Sequence, residues 1–449
     1  MTTVIETTFG KMSGITRNGC LEFLGIPYAK APVGDLAFRR PEDPDPWDDI
    51  MIADKGGRNS VQGYSSRHFI SFTGQDCLYM NICVPGNFAD AEGALPVLVW
   101  IHGGSYATGG TGRISEGSDD LVYDLTRLAA DTGCIIVDFN YRLNLYGFMN
   151  LNCFSSRFDQ NCGIFDQIKA LEFIHKNISS FGGDPGNVTL FGQSSGGACI
   201  LALMTMPEAE PLFAKAIVQS ACVDSFWTPE QSKKLAKTYL RMLGYSAKNP
   251  ERILSADPRN VYKANRDLKI QLRAKGEVTC LFSPVIDGDT LKDYPGKIVS
   301  SSVKPLLIGT VMHEADLFTD GLPLFFLPYA PRLFKLGTRW GKNLRRRLSD
   351  DLTYKVYKKP VLGIASSYSG DIWLYDYQYK KCRHADEVPV LFGSRTEPGR
   401  DARSPDDIKL KPDEDKLGTV LRSVWGQFAK TGNPGWEMYK DSRNIRIFK

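Results

Sequence analysis

Short apolar runs of strand length alternate along the chain with segments of helical period. The runs that predict core strands are 78–84, 96–102, 134–140, 188–191, 216–219, 305–309 and 372–377. Runs of this length, separated by helical patterns, are typical of βαβ units. The pattern therefore predicts an α/β fold with a mostly parallel sheet and helices on both faces.

The helical patterns have recognisable ends. Isoleucine and leucine recur every three or four residues in one segment, and in another Thr228 and Gln231 fit a capping box. Pro229 then takes the first helical position and Gly244 ends the helix. The predicted helices cover 164–178, 228–244 and about 416–430.

Two segments, 40–75 and 318–370, are less regular. The second contains an apolar stretch, 322–331, which is either core or the rim of a binding cavity. The basic run at 345–347 is interpreted as the solvated face of a helix. Neither segment has the composition of a linker, so we expect a single domain over 1–449.

Composition narrows the class of protein. Of the 449 residues, 42% are hydrophobic and 24% are charged, which supplies a large core and excludes disordered and fibrous proteins. Lys and Arg (55) exceed Asp and Glu (51) by only four, so the charge does not favour a nucleic-acid partner. No apolar run approaches the roughly 18 residues of a membrane-spanning helix. Nothing in these patterns predicts an oligomeric state.

The cysteines and the N-terminus bear on the compartment. The ten cysteines include no C-x-x-C pair, so a thiolate zinc site is not expected. We interpret them mainly as small buried hydrophobic residues. The first residues show no basic segment followed by an apolar one, as a signal peptide would. The expected location is the cytoplasm.

The candidate nucleophile is Ser194. It is the centre of a G-x-S-x-G sequence, 192–196, which follows the strand-like 188–191 and precedes a helix-like segment. A strand, a sharp turn and a helix in this order are the context of a nucleophile elbow. The turn would hold the hydroxyl at a helix N-terminus, where backbone N–H groups favour negative charge. A plain glycine-rich turn is the structural alternative.

A second glycine-rich loop follows the strand at 96–102. It reads His102-Gly-Gly-Ser-Tyr106, with further glycines at 109 and 110. Such a loop can lend backbone N–H groups to an oxyanion, while Ser195, the residue after the nucleophile, lends another. The chain has no G-x-x-x-x-G-K-[ST] sequence, which makes a nucleotide-binding loop the weaker interpretation.

The base and the acid of a serine triad must follow Ser194 in this fold. Only His313 and His384 do so, and His384 lies in a polar loop just past the strand at 372–377. For the acid, Glu314 comes soon after the strand at 305–309, with Asp316 and Asp287 as alternatives. Spacing favours His384 and Glu314 and leaves the others open.

Ordered motifs along the whole chain resemble those of the type-B carboxylesterase/cholinesterase family, in its bacterial para-nitrobenzyl-esterase-like branch. Segments 309–318 and 384–393 are similar to the family's G-x-N-x-x-E-G-x-x-F and H-x-x-E/D-x-x-x-x-F-G. The other matching segments are 23–34, 38–41, 75–81 (the family's E-D-C-L-x-L-N), 140–148, 166–167, 181–185 and 191–197 (its F-G-E-S-A-G-G).

The resemblance implies an α/β-hydrolase fold with a shortened helical cap. It also implies a Ser194–Glu314–His384 triad that hydrolyses neutral carboxylic esters through an acyl-enzyme. The partner is then a small-molecule ester, with no metal or cofactor needed. The oxyanion donors would be Gly104, Ser105 and Ser195, and Tyr106 and Gln193 would border the substrate. The rivals are a catalytically silent adhesion member, as in the neuroligins, and an acyltransferase or amidase that uses the same triad.

The sequence also departs from the family. Ser105 stands at the third glycine of the H-G-G-G loop, and Gln193 replaces the glutamate before the nucleophile. Residues 62–76 contain no tryptophan, on which cholinesterases seat a quaternary ammonium group. Choline esters are therefore disfavoured. In secreted members of the family, the cysteine that matches Cys77 forms a disulfide with a second cysteine, whose position corresponds roughly to Val61 here. This second cysteine is absent, which favours a protein whose cysteines are reduced.

Overall fold

A computed structural model describes residues 3–62, 72–86, 93–114, 121–274, 280–319, 339–393 and 410–449. Its strands are β1 Val4–Thr7, β2 Gly10–Ser13, β3 Ile15–Arg17, β4 Cys20–Pro27, β5 Met51–Ile52, β6 Asn59–Ser60, β7 Thr73–Gly74, β8 Tyr79–Val84, β9 Leu95–Ile101, β10 Ile135–Phe139, β11 Gly183–Gln193, β12 Lys215–Gln219, β13 Leu306–Val311, β14 Ile372–Tyr377 and β15 Ile445–Phe448. Its helices are α1 Thr126–Thr132, α2 Asn144–Phe148, α3 Cys162–Asn177, α4 Ser195–Leu203, α5 Pro229–Met242, α6 Pro258–Ala274, α7 Pro295–Ile298, α8 Asp316–Thr319, α9 Arg339–Leu352, α10 Lys359–Ser367, α11 Glu387–Phe392, α12 Pro412–Thr431 and α13 Tyr439–Ser442.

One large sheet organises the described part of the chain. Its strand order is β15-β14-β13-β12-β11-β9-β10-β8-β4-β3. The run from β15 to β10 is parallel throughout, and β8, β4 and β3 join it antiparallel. All seven predicted core strands belong to this sheet, so the prediction of a mostly parallel sheet is confirmed.

The two faces of the sheet are buried under different helices, because successive side chains of a strand point to opposite sides. On β9, Val97 and Val99 pack into a cluster that includes α3 and α4. The intervening Leu98 and Trp100 pack into a second cluster, which includes α1, α11 and α12. The helices therefore cover both faces, as the sequence pattern predicted.

The predicted helices are present with adjusted ends. The capping box at Thr228 and Gln231 is formed at the start of α5, and α3 matches the predicted 164–178. The predicted 416–430 begins earlier, at Pro412 of α12. The segment 318–370 is more regular than expected, since α9 and α10 lie in it and the basic run 345–347 falls on α9. The apolar stretch 322–331 lies outside the described residues.

Candidate functional site

The candidate nucleophile lies on a sharp turn at the carboxyl end of β11. Ser194 has a φ of +57° and a ψ of −122°, a sparsely populated conformation for a residue with a side chain, and α4 begins at the next residue. Its N–H donates to the carbonyl of Gln219, 2.8 Å away at the end of β12. A Cβ on Gly196 would lie only 2.0 Å from the carbonyl oxygen of Ile101, so the turn packs directly on β9. This is the local geometry that the G-x-S-x-G spacing predicted.

The glycine-rich loop after β9 lies beside this turn. A Cβ on Gly103 would be 3.2 Å from the Cβ of Ser194. Gly104 and Ser105 both have positive φ values, +114° and +56°, and both are partly exposed. The N–H of Tyr106 donates to the Ser195 hydroxyl over 3.4 Å, which joins the loop to the start of α4. The three predicted oxyanion donors, Gly104, Ser105 and Ser195, are thus gathered around the turn that carries Ser194.

Tyr106 lies beneath this loop. Its side chain is fully buried and its ring packs on Phe148, with 4.9 Å between the centroids. Burial raises the pKa of its hydroxyl well above the ordinary value. Tyr106 was predicted to border the substrate; in the structure its side chain is fully buried and packs on Phe148.

Glu314 and His384 come together at the same edge of the sheet. Glu314 follows β13 and His384 follows β14, and the carboxyl ends of these parallel strands are adjacent. The Nδ1 atom of His384 lies 2.6 Å from Oε2 of Glu314. The other carboxylate oxygen accepts the N–H of Val311 over 2.9 Å. The carboxylate is fully buried, so its position is fixed by these contacts.

The alternatives to this pair have other contacts. Arg346 contacts the ring of His313 and also pairs with Asp316. Burial, and then the charge of Arg346, lowers the pKa of His313. Asp287 accepts hydrogen bonds from Gln160 and from the N–H of Leu291. The structure brings Glu314 to His384 and directs these other groups elsewhere.

Two further side chains contact the His384 ring. The Nε2 atom of Gln193 lies 3.2 Å from Nε2 of His384, and both residues are buried. The ring of Tyr357 packs on the imidazole with 5.3 Å between the centroids. Because Gln193 directly precedes Ser194, its side chain connects the nucleophile's turn to the histidine.

The sequence analysis did not single out Tyr357. It belongs to a π-helical turn, Thr353–Lys358, between α9 and α10. Burial raises the pKa of its hydroxyl well above the ordinary value, and the nearby thiol of Cys222 adds to this. Single turns of π-helix are frequent at functional sites, but the sequence around Tyr357 carries no motif that would reveal one.

Other possible sites are weaker. No group of three or more His, Cys, Asp or Glu side chains in the described ranges could hold a metal ion. A surface cavity of about 530 Å³ lies at the opposite edge of the sheet, lined by residues such as Trp373, Gly432 and Trp436. The candidate triad residues do not line it.

Within the portion of the chain that the structure covers, we find no helix with the length and apolarity needed to cross a bilayer.

Known proteins are similar to this chain in sequence and fold. Residues 1–324 match the carboxylesterase family. The para-nitrobenzyl esterase of Bacillus subtilis is 34% identical over 97% of this chain and 91% of its own. The solved structure of a thermophilic PNB esterase superposes with a TM-score of 0.83 at 33% identity, over 100% of this chain and 96% of that one. A carboxylesterase of Geobacillus stearothermophilus gives a TM-score of 0.81 at 29% identity, over 99% and 96% of the two chains.

These relatives extend the resemblance found in the sequence motifs to nearly the whole chain and to its three-dimensional structure. The strand order and the two helical layers are accordingly those of an α/β-hydrolase fold. The chain belongs to the carboxylesterase family and is a carboxylic ester hydrolase.

Proposed function

We propose that this protein hydrolyses neutral carboxylic esters by two-step acyl transfer through Ser194, His384 and Glu314. The observation that carries the proposal is the 2.6 Å contact between His384 and Glu314 at the sheet edge where the Ser194 turn lies. A buried carboxylate on Nδ1 favours the tautomer in which Nδ1 carries the proton and Nε2 carries the lone pair, as a general base requires.

In the acylation step, the Ser194 oxygen attacks the ester carbonyl carbon while its proton passes to Nε2 of His384. The carbonyl oxygen becomes an oxyanion, which the backbone N–H groups of Gly104, Ser105 and Ser195 stabilise. The bond to the alcohol oxygen then breaks, and the alcohol leaves with the proton from His384. Glu314 stabilises the transient imidazolium without taking up its proton.

In the deacylation step, water replaces the alcohol. His384 takes a proton from the water as the water oxygen attacks the acyl carbon. The second tetrahedral intermediate then breaks down, the carboxylic acid leaves, and the proton returns to the Ser194 oxygen. Each bond made to Ser194 is broken again, so the enzyme is restored.

The test compares Ser194→Ala, His384→Ala and His313→Ala on p-nitrophenyl acetate. The first two variants should each lower kcat by roughly 10⁴, because the nucleophile and its base act as a unit. His313→Ala should stay near wild type, since the His313 ring is held by Arg346 instead.

Two outcomes would contradict the proposal. Ser194→Ala activity within about tenfold of wild type would remove Ser194 as the nucleophile. If His313→Ala were the damaging histidine variant, the base would have to be reassigned. Circular dichroism of all three variants shows whether a loss of activity is a loss of fold.

A further inference from the structure

His102 is a fully buried histidine at the start of the glycine-rich loop that lies beside Ser194. Its imidazole ring stacks on the ring of Tyr141, with 4.4 Å between the centroids. The Nδ1 atom lies 2.8 Å from the carbonyl oxygen of Gly103, whereas Nε2 has no partner among the described residues. No step of the reaction above uses this ring, although it lies only two residues before Gly104.

The contacts of the ring decide which nitrogen carries its proton. Burial lowers the pKa of the His102 imidazole to about 4, so the ring is neutral in the folded enzyme near neutral pH. A carbonyl oxygen only accepts hydrogen bonds, so the nitrogen that faces it carries the proton. Nδ1 therefore donates to the Gly103 carbonyl, and no other residue in the described ranges donates to that oxygen.

The Gly103 carbonyl and the Gly104 N–H belong to the same peptide unit. Because a trans peptide unit is planar, its C=O and N–H point in opposite directions, and a contact that fixes one also fixes the other. The Gly104 N–H donates to no residue within the described ranges, so it is available to an oxyanion. A Cβ on Gly109 would overlap both the His102 ring and the Gly103 carbonyl, so this hydrogen bond is closely packed.

The next peptide unit of the loop is held by more donors. The Gly104 carbonyl accepts the N–H groups of Ala107 and Thr108 over 3.1 and 3.0 Å, and the Thr108 hydroxyl over 3.2 Å. These three donors fix the direction of the Ser105 N–H, which belongs to the same unit. The preceding unit has a single donor among the described residues, the His102 ring. The direction of the Gly104 N–H therefore depends on one side chain.

We propose that His102 is a positioning residue for the oxyanion hole: its Nδ1–H holds the Gly103 carbonyl and thereby aims the Gly104 N–H at the oxyanion. This proposal rests on the acyl-transfer reaction proposed above. An N–H group that is aimed before the reaction stabilises the developing charge without reorganisation. Because the charge develops only in the transition state, loss of this aim should lower kcat and leave KM nearly unchanged.

The test separates the N–H donor from the ring in two variants assayed on p-nitrophenyl acetate. His102→Phe keeps a ring on Tyr141 but has no N–H, so kcat should fall by about tenfold to a hundredfold, less than the roughly 10²–10³ that loss of a whole donor costs. His102→Asn loses the ring but has an amide N–H in place of Nδ1, so kcat should stay within about threefold of wild type. Inhibition by a trifluoromethyl ketone, which forms a tetrahedral adduct on serine, should weaken in His102→Phe by the same factor as kcat/KM.

His175→Phe is the matched control, because it makes the same change at an exposed position of α3 and should leave both constants unchanged. A His102→Phe enzyme with wild-type kcat and wild-type inhibition by the ketone, or a His102→Asn enzyme as impaired as His102→Phe, would overturn the proposal. If circular dichroism shows that His102→Phe does not fold, His102→Leu replaces it. If His102→Asn does not fold, the ketone result with the other variant decides. A Ser194→Ala variant that stays active would instead refute acyl transfer itself, so the two failures are distinguishable.

Discussion

Asp138 is an acid in the interior of the sheet. It lies on β10 and is fully buried, and the Asn81 amide donates to one of its oxygens over 2.8 Å. The other oxygen has no partner among the described residues. Burial raises the pKa of this carboxyl well above its usual range, so the folded protein favours the protonated acid.

This burial predicts a pH-dependent stability. The native state binds a proton that the unfolded chain gives up near pH 4, so stability is greatest below that pH and declines as the pH rises toward the folded pKa. Asp138→Asn keeps the shape of the side chain but has no group that titrates. It should therefore remove a decline in the free energy of unfolding of up to about 1.4 kcal/mol per pH unit. Urea unfolding of both proteins at pH 4, 5.5 and 7 measures the difference.

The gain of Asp138→Asn over wild type should grow from pH 4 to pH 7. Asp49→Asn, at an exposed position, is the control and should give a curve parallel to that of wild type. Parallel curves for Asp138→Asn as well would mean that the Asp138 carboxyl does not hold its proton in the folded protein.

At the same scale, spacing favoured His384 over His313 but did not exclude His313. The sequence motif around His384 favoured it, and the physical reason emerges only in the structure, where Arg346 contacts His313 from 33 residues further along. The contact between Gln193 and His384 spans 191 residues and has no sequence pattern. Side-chain contacts of this kind depend on packing, so they could not be predicted from local sequence.

Among the elements, the π-helical turn Thr353–Lys358 contacts the candidate site at several points. The Thr353 hydroxyl accepts the N–H of Ala315, next to Glu314, over 3.1 Å. The Lys358 ammonium pairs with Asp376 of β14 at 3.0 Å. With Tyr357 on the imidazole, this one turn contacts the segments that carry both the acid and the base.

Tyr357 should therefore affect kcat more than KM. Tyr357→Leu removes the ring that limits the tilt of His384, and a small displacement of a base is costly, so kcat should fall by about tenfold with KM little changed. Tyr357→Phe keeps the ring and loses only the hydroxyl beside Cys222, so it should remain near wild type. Steady-state kinetics of both variants provide the measurement. Equal losses would assign the effect to the hydroxyl instead.

Two strands that the sequence analysis did not predict, β4 and β15, have only a weak pattern of apolar residues. β4 contains the buried Glu22, whose charge is paired with Arg17, and it also contains Gly25. β15 has four residues, pairs only with β14 among the described strands, and exposes Ile445 and Ile447. Apolar periodicity predicts strands that are buried on both faces, and these two lie toward the sheet's edges.

For the whole molecule, the parallel sheet explains why distant motifs form one site. The loops that carry Gly103, Ser194, Glu314 and His384 follow β9, β11, β13 and β14, and the carboxyl ends of parallel strands share one edge. The order of strands and motifs in the sequence therefore predicted that these loops would lie at one edge of the sheet. It could not predict the walls of a substrate cavity, because no family motif covers most of the chain between 318 and 384.

The charge of the whole molecule and the composition of its site together predict a preference for neutral substrates. A net charge of +4 provides no long-range attraction for a cation. At the site, Gln193 is neutral, and the chain lacks a tryptophan in 62–76 on which an ammonium group could rest. A cationic alcohol group would lose its hydration without a compensating contact, whereas a neutral ester of the same acid loses much less.

We therefore expect neutral esters with acyl chains of about C2 to C8 to exceed choline esters in kcat/KM by at least about tenfold, or roughly 1.4 kcal/mol. Ser105, which replaces a glycine in the loop beside Ser194, should shift the range toward the shorter acids. The measurement is kcat/KM for butyrylthiocholine against a neutral butyryl thioester of similar size. Equal values, or a preference for the choline compound, would mean that an aromatic or acidic side chain from 318–370 forms a cation site.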